Sequence, residues 1–299
     1  MTEPTREDLI LDPACGSGGF LLYALDRIRH EADALFPRHE TDPDEATQHF
    51  RYWHDFAKNN LYGLEINDEI ARVAKMNMII HDDGHTNVLG EDALEPISEI
   101  NAKNLRFDPN RFSLVLTNPP FGSVIKQTER PYLRDFELSR YSARSTTGTE
   151  PEDDSGDLKS GEKAVKQRTS VKTEILFCER VWQFLKPGTG RAAVVLPDGI
   201  LTNSSLQPIR DWLIERFQLL AVVSLPQFAF SHYGAGVKAS IVFLRKRAAD
   251  ETPNDDEPIF MAAPARIGYD ATGRKTPSDL PEVARQFGAF KENAEPFFV

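Results

Sequence analysis

The stretch Leu9-Ile-Leu-Asp12-Pro-Ala-Cys-Gly16-Ser-Gly18-Gly19-Phe20 decides the fold. Leu9–Leu11 is a short apolar run, the next residues form a glycine-rich loop, and Phe20 to Arg29 has helical patterning. A strand, a glycine loop and a helix in that order seat a nucleotide-like cofactor at the carboxyl end of a parallel strand. Gly16, Gly18 and Gly19 let the backbone turn tightly and approach a ligand without a Cβ in the way. A phosphate-binding loop carries Lys near the phosphates. This one has Asp12 at its mouth and no Lys or Arg between Leu9 and Asp26.

Outward from the loop, strand-length apolar runs alternate with helical patterns. Residues 30–55 are rich in His, Asp, Glu and Pro and read as a solvated insertion. Leu61–Leu64 is a second strand, closed by Glu65. Asn67 caps a helix with Ile70, Val73, Ala74 and Met78 on one face. Asn87–Leu89 and Phe112–Thr117 are two more strands, the first leading to Gly90-Glu-Asp92 and the second into Asn118-Pro-Pro-Phe121. The polar segment 122–172, with a Ser/Thr/Gly/Asp-rich centre at Ser142–Gly161, buries too little apolar surface to offset its ordering entropy and reads as a mobile loop. Ile175, Cys178, Trp182 and Leu185 have helical spacing, stopped by Pro187-Gly188. Ala192–Leu196, Leu219–Leu225 and Val237–Leu244 read as strands, with a helix over Ser205–Arg216. After Arg247 only Ile259–Ala262 suggests a further edge strand. The fold class is α/β: a mostly parallel twisted sheet with helices on both faces.

The acids sharpen the cofactor. Asp12, Glu65 and Asp92 each follow a strand, so three carboxylates share one sheet edge. Together they repel a pyrophosphate and suit a ligand with an ammonium, a sulfonium, ribose hydroxyls and an adenine amine, which is S-adenosyl-L-methionine. Each acid taken alone is as readily a loop or helix cap; the set of three carries the reading.

Asn118-Pro119-Pro120-Phe121 ends the fourth strand. The prolines rigidify the turn and remove two N–H donors, so it presents acceptors. The Asn118 amide oxygen and the Pro119 carbonyl suit the two hydrogens of an NH2 group, and Phe121 can stack on the ring that bears it. Asn is a poor base, so its part is positioning and polarisation. An Asn-Pro pair is also an ordinary turn opener; its place after a cofactor loop favours the functional reading.

The bulk properties narrow the partners. The chain has 299 residues, is 40% hydrophobic and 27% charged, and carries a formal net charge of −11. Proteins that hold DNA unaided usually show a basic face, so any nucleic-acid work here needs a partner to do much of the holding. No run of about 20 apolar residues and no amino-terminal signal region is visible, which suits a cytoplasmic, non-membrane protein. Cys15 and Cys178 are too few for a disulfide framework, and neither sits as the nucleophile of carbon-5 cytosine methylation.

The run from Asp12 to Phe20 with Asn118-Pro-Pro-Phe121 resembles the modification subunit of type I restriction–modification systems, a family of amino-group DNA methyltransferases. The likeness continues through Phe177–Leu185, Gly190–Gly199, Leu225–Phe228 and Gly234–Lys246. It implies a Rossmann-like S-adenosylmethionine-dependent methyltransferase fold over residues 1–247, with 122–172 a mobile insertion and 248–299 a C-terminal extension. It implies site-specific transfer of a methyl group to the N6 amine of a flipped adenine, with double-stranded DNA, a specificity subunit and a restriction subunit as partners. By the same resemblance Asp12, Gly16 and Gly18 hold the methionine part of the cofactor, with Pro13, Ala14 and Ala93 also cofactor-binding. Glu65 takes the ribose, Ile66 packs on the adenine, Asp92 takes the adenine amine, and Asn118 to Phe121 receive the target base. Phe230 or Tyr233 supplies the other wall of the base pocket, with core packing an equal alternative for both. Family members carry a helical segment before the glycine loop, including a Thr-Pro stretch that closes over the cofactor; it is missing ahead of Leu9, so a cofactor site without that cover is expected. Competing assignments are a protein-glutamine or RNA-adenine methyltransferase and a non-catalytic cofactor-binding assembly subunit.

Overall fold

The run before the glycine loop becomes β1 (Ile10–Asp12), buried at all three residues, and it lies inside an eight-stranded sheet. A computed structural model describes residues 1–81, 87–126, 130–140 and 170–294, apart from the side chains of Pro131, Tyr132 and Tyr233. From β1 the chain continues through α1 (Gly19–Leu35), α2 (Pro43–Asn60), β2 (Leu61–Glu65), α3 (Asp68–Ile80), β3 (Val88–Gly90), α4 (Ile97–Lys103) and β4 (Leu114–Thr117). Next come β5 (Val124–Lys126), β6 (Ser170–Lys172), α5 (Thr173–Phe184), β7 (Arg191–Pro197), α6 (Asp198–Thr202), α7 (Gln207–Arg216), β8 (Phe217–Ser224) and β9 (Ala239–Lys246). The chain ends in β10 (Phe260–Ala262), β11 (Ile267–Tyr269), β12 (Lys275–Ser278) and α8 (Leu280–Asn293).

The sheet order is β10-β8-β9-β7-β4-β1-β2-β3. Every pairing in it is parallel except those of β9, which runs antiparallel to β7 and to β8. Apolar clusters cover both faces. One packs Leu25 and Ile28 of α1, Phe56 of α2 and Met78 of α3 against β1, β2 and β4. The other packs Ile100, Phe184 and Leu213 of α4, α5 and α7 on the opposite side. Among the described residues no helix is long and apolar enough to cross a membrane.

Four expectations change. The supposed solvated insertion at 30–55 is instead the end of α1 followed by α2. Asp42 caps α2 through the backbone N–H groups of Asp44 and Glu45, and Trp53, Phe56 and Ala57 are its buried stripe. On α3 the buried face is Ala71, Ala74 and Met78, while Ile70 and Val73 are more than 40% exposed. Small alanines win that face because the glycine loop passes close by: a Cβ on Gly18 would sit 3.7 Å from Met78 Sδ and 3.8 Å from Ala74 Cβ.

The polar segment 122–172 is structured wherever it is described. Residues 124–126 and 170–172 pair as an antiparallel ribbon. Leu133, Phe136 and Leu138 are buried in the main core. The Glu179 carboxylate, buried on α5, accepts the N–H groups of Glu137 and Leu138 at 3.0 and 2.9 Å. Three apolar residues in a polar stretch are a faint signal; the buried acceptor on α5 completes the site. Ser142–Gly161, the centre of the expected loop, lies outside the described residues.

Beyond Arg247 the expected strand is present as β10, parallel to β8. The helix α8 was not foreseen. It lays Val283 and Phe287 on a third cluster with Ala221, Val223 and Phe243 of β8 and β9, so residues 248–294 extend the same sheet and core.

The Asn67 cap is present, its side chain accepting from the N–H groups of Glu69 and Ile70 at 2.9 and 3.1 Å. Asn67→Ala is expected to lower stability by about 1 kcal/mol, read as a lower urea midpoint with an unchanged denaturant slope.

Candidate active site

The carboxyl ends of β1, β2, β3 and β4 meet at the glycine loop. The loop is sewn to β2: the Cys15 N–H donates to the Leu64 carbonyl at 2.9 Å, and the Gly18 N–H to the Cys15 carbonyl at 2.8 Å. Gly16 and Gly18 have φ of +53° and +87°, the left-handed region where L side chains are strained, and Gly18 caps α1 from that conformation. The Gly16 N–H donates to Glu65 Oε2 at 3.0 Å, while Glu65 Oε1 accepts from the Asn67 N–H at 2.9 Å. Glu65 is thus a brace for the loop and for the start of α3 as well as a ligand candidate.

Two cavities open on this edge. One, of about 560 Å3, has walls from Pro13, Ala14 and Gly16, from Glu65 and Ile66, from Asp92 and Ala93, and from Asn118 and Pro120. The other, of about 650 Å3, is entered past Asp12, Ser17, Gly19, Phe20 and Tyr23. Ala14, Gly16 and Asn118 line both, so Asn118 stands where they join. The larger cavity takes in Asp12, and of the other residues singled out from sequence only Gly18, Pro119 and Phe121 of the loop and turn line neither. Gly18 lies beneath the loop against α3, and Pro119 is buried while Asn118 and Pro120 are exposed.

The three acids differ in their surroundings. Asp12 is 1% exposed and accepts one N–H, from Ala14 at 3.0 Å. Burial pushes its carboxyl up to about 7, with the nearby Glu65 charge adding to the rise. A buried acid so weakly solvated favours a cation brought beside it. Asp92 accepts the Leu94 N–H on Oδ1 and forms an ion pair through Oδ2 with Arg130 at 2.9 Å. Arg130 enters the cavity from the polar segment that follows the Asn118 turn. Asp92 lines the cavity beside Arg130, and a guanidinium plane suits stacking on a purine.

The turn after Asn118 is clamped from the start of α5, a contact that no local pattern signals. Gly122 N–H donates to Glu174 Oε2 at 3.2 Å, and both the N–H and the hydroxyl of Thr173 donate to the Ser123 carbonyl at 2.9 Å. Glu174 is 2% exposed. Phe121 and Phe230 meet edge to face, with centroids 6.2 Å apart and planes at 87°. That is a filled contact, so a base inserted between them requires one ring to turn. Phe230 also packs on the third core cluster; the side chain of Tyr233 lies outside the described residues. Burial pushes both the Cys15 and Cys178 thiols upward, against any thiolate nucleophile.

The donor set fits S-adenosylmethionine: the buried Asp12 carboxylate in one cavity, the Glu65 and Asp92 carboxylates in the other, and open space over Gly16, where an added Cβ would meet nothing within 4 Å.

Comparison with known proteins agrees with this geometry. The family model described as N-6 DNA Methylase matches residues 1–296. The methylase subunit of the type I restriction enzyme EcoKI from Escherichia coli K12 is 28% identical over 282 residues, covering 93% of this chain and 44% of that protein. The StySJI methylase subunit of Salmonella typhimurium LT2 is 27% identical with the same coverage of both. This chain thus spans less than half the length of these relatives. Among solved structures, a modification subunit of a putative type I restriction enzyme from Vibrio vulnificus YJ016 superposes with a TM-score of 0.61 at 23% identity, over 97% of this chain and 50% of that one. A putative class I S-adenosylmethionine-dependent methyltransferase from Listeria monocytogenes gives 0.55 at 18%, over 97% and 65%. These structures share the Rossmann-like methyltransferase fold. With nearly its whole length matched by the family model, the chain belongs to the N-6 DNA methylase family.

Proposed function

We propose that this chain is the catalytic part of a DNA modification subunit, transferring a methyl group from S-adenosylmethionine to the N6 amine of a flipped adenine. The observation that carries the reading is the placement of Asn118 at the junction of the two cavities, with Asp12 in one and Glu65 and Asp92 in the other. The methionine end belongs with Asp12, whose buried carboxylate pairs with the ammonium; the ribose belongs with Glu65 and the adenine with Ile66, Ala93 and Asp92. Bound there, the cofactor supplies an electrophilic methyl group on a sulfonium.

The chain's own residues do the rest. Asn118 and the Pro119 carbonyl accept the two N–H groups of the target amine, drawing its lone pair out of conjugation and aiming it at the junction. Pro119 and Pro120 hold this turn without mobile donors, and Thr173 and Glu174 anchor its exit. Phe121 supports the base ring, with Phe230 behind it. The net charge of −11 assigns phosphate binding and site choice to a specificity subunit, with a restriction subunit completing the system.

Mass spectrometry of genomic DNA from cells with and without the full-length gene tests the reaction: N6-methyladenine at one recurrent sequence is expected only with the gene. Its absence from DNA, with methylation of RNA adenine or of protein glutamine instead, transfers the site to that substrate class. Glu65→Ala tests the cofactor site. A charged hydrogen bond is worth roughly 1.5–3 kcal/mol, so calorimetry is expected to show about a ten- to hundredfold weaker S-adenosylmethionine affinity. Unchanged affinity removes Glu65 from the site.

A further inference from the structure

On the α1–α2 hairpin, away from both cavities, Asp33, His39 and His49 bring one oxygen and two ring nitrogens within 4.8 Å of one another. We propose that these three side chains bind one divalent cation of the zinc class, with water completing the coordination.

Asp33 lies in the last turns of α1, His39 in the connecting loop and His49 on α2. His49 Nε2 is 2.8 Å and His39 Nε2 4.0 Å from the same oxygen, Asp33 Oδ1. Tetrahedral zinc with bonds of about 2.0–2.2 Å separates its ligand atoms by roughly 3.4 Å. Each of these two contacts therefore changes by about 0.6 Å, a small rotation for side chains at the surface.

The ring of His39 is held in an orientation that suits metal binding through Nε2. Its Nδ1 lies 2.8 Å from the Phe36 carbonyl oxygen. A carbonyl can only accept, so Nδ1 carries a proton, and Nε2 is the nitrogen that faces Asp33. A backbone carbonyl on the second ring nitrogen is the usual outer support of a metal-bound histidine. The two imidazoles stack with centroids 4.0 Å apart and planes within 6°. Stacking brings both Nε2 atoms to the same carboxylate. An Asp33–His49 ion pair accounts for the 2.8 Å contact, whereas one bound cation accounts for both Nε2 atoms being turned to the same oxygen.

Nearby charges are engaged elsewhere. Arg38 binds Glu45 at 2.5 Å and lies 3.6 Å from Asp42, and Glu31 accepts from the Tyr52 hydroxyl at 2.5 Å. The donor set is one carboxylate and two imidazoles, which suits zinc and its neighbours over magnesium or calcium. Because the ligands come from α1, the loop and α2, the ion ties the hairpin that backs the glycine loop. None of the three lines either cavity, so the readout is binding and stability, independent of methyl transfer.

The test is titration of the metal-free full chain with Co2+ as a visible probe, followed by Zn2+ competition. The expected result is one equivalent of Co2+ with tetrahedral ligand-field bands, displaced by Zn2+, and a melting temperature raised by about 5 °C at saturating zinc. His39→Gln and His49→Gln are each expected to weaken zinc binding at least about tenfold, while His30→Gln, on the neighbouring turn, leaves it unchanged. Metal-free melting curves of the variants check that the hairpin is intact, and Asp33→Asn serves where a histidine variant melts early. Absence of stoichiometric binding by the parent, or equal affinity in variants that melt like it, overturns the proposal.

Discussion

Asn118→Ala is expected to lower methyl transfer to adenine by about 10²–10³-fold while S-adenosylmethionine affinity stays within about twofold of the parent. The two effects separate because of where the residue sits. Asn118 stands at the junction of two cavities at the end of β4, whereas the acids proposed to hold the cofactor belong to β1, β2 and the loop after β3. Its amide oxygen is assigned to an amine whose nitrogen gains positive charge as the methyl group arrives, so the loss falls on the transition state and lowers kcat. Asn118→Asp keeps an acceptor and is expected to lose less. Folding survives both changes, since Asn118 is exposed while Pro119 below it is buried. The assay follows labelled methyl transfer into duplex DNA with the specificity subunit present. Parent-like rates for Asn118→Ala remove the residue from catalysis and, with it, the argument for an amine substrate.

What could be read in the sequence, and what could not, divides along physical lines. The strands β1, β2, β4 and β7 were visible because buried parallel strands are continuous apolar runs, and those runs end in turn residues; β9, antiparallel to both neighbours, was visible as a long β-branched and apolar run. The glycine loop and the Asn118 turn were visible because glycine and proline there serve backbone geometry that tolerates few substitutes. The helix α2 was hidden by its composition: three buried residues, Trp53, Phe56 and Ala57, among charged and histidine-rich neighbours. The Asp42-Pro43 pair that opens it, a side-chain cap followed by proline in the first turn, was the signal available. Arg130 on Asp92 and Glu174 on the Gly122 N–H were out of reach, since each bridges segments 38 and 52 residues apart that no local pattern connects. Glu65 lines the cavity, yet its tie to the Gly16 N–H is a tertiary fact. Glu65→Ala therefore tests loop support as well as ribose binding, and the two separate by melting the variant without cofactor.

Asp12→Asn is expected to stabilise the cofactor-free chain above pH 7 by about 2–4 kcal/mol and at the same time to lose most of its affinity for S-adenosylmethionine. Burial raises the Asp12 carboxyl from 3.8 to about 7. In the unfolded chain this acid releases its proton near pH 4, but in the folded chain it holds it to about pH 7. Between those values the folded state binds more protons, so stability falls as pH rises, and the cost reaches its full size, up to about 4 kcal/mol, above pH 7. Asn cannot ionise, keeps an acceptor for the Ala14 N–H and is nearly isosteric, so the variant escapes that fall. Burying a lone anion at such a cost makes sense where a cation joins it, which is the part assigned to the cofactor ammonium. The same linkage sets the pH dependence of binding: below about pH 7 Asp12 must lose a proton to receive the ammonium. Affinity is thus expected to drop roughly tenfold per unit from pH 7 toward pH 5 and to level off above pH 7. Denaturant midpoints of parent and variant across pH 5–8, with calorimetric titration of the parent over the same range, carry the test. Parallel stability curves for the two proteins, or an affinity flat from pH 5 to 8, would show that Asp12 is not the buried anion that receives the cofactor.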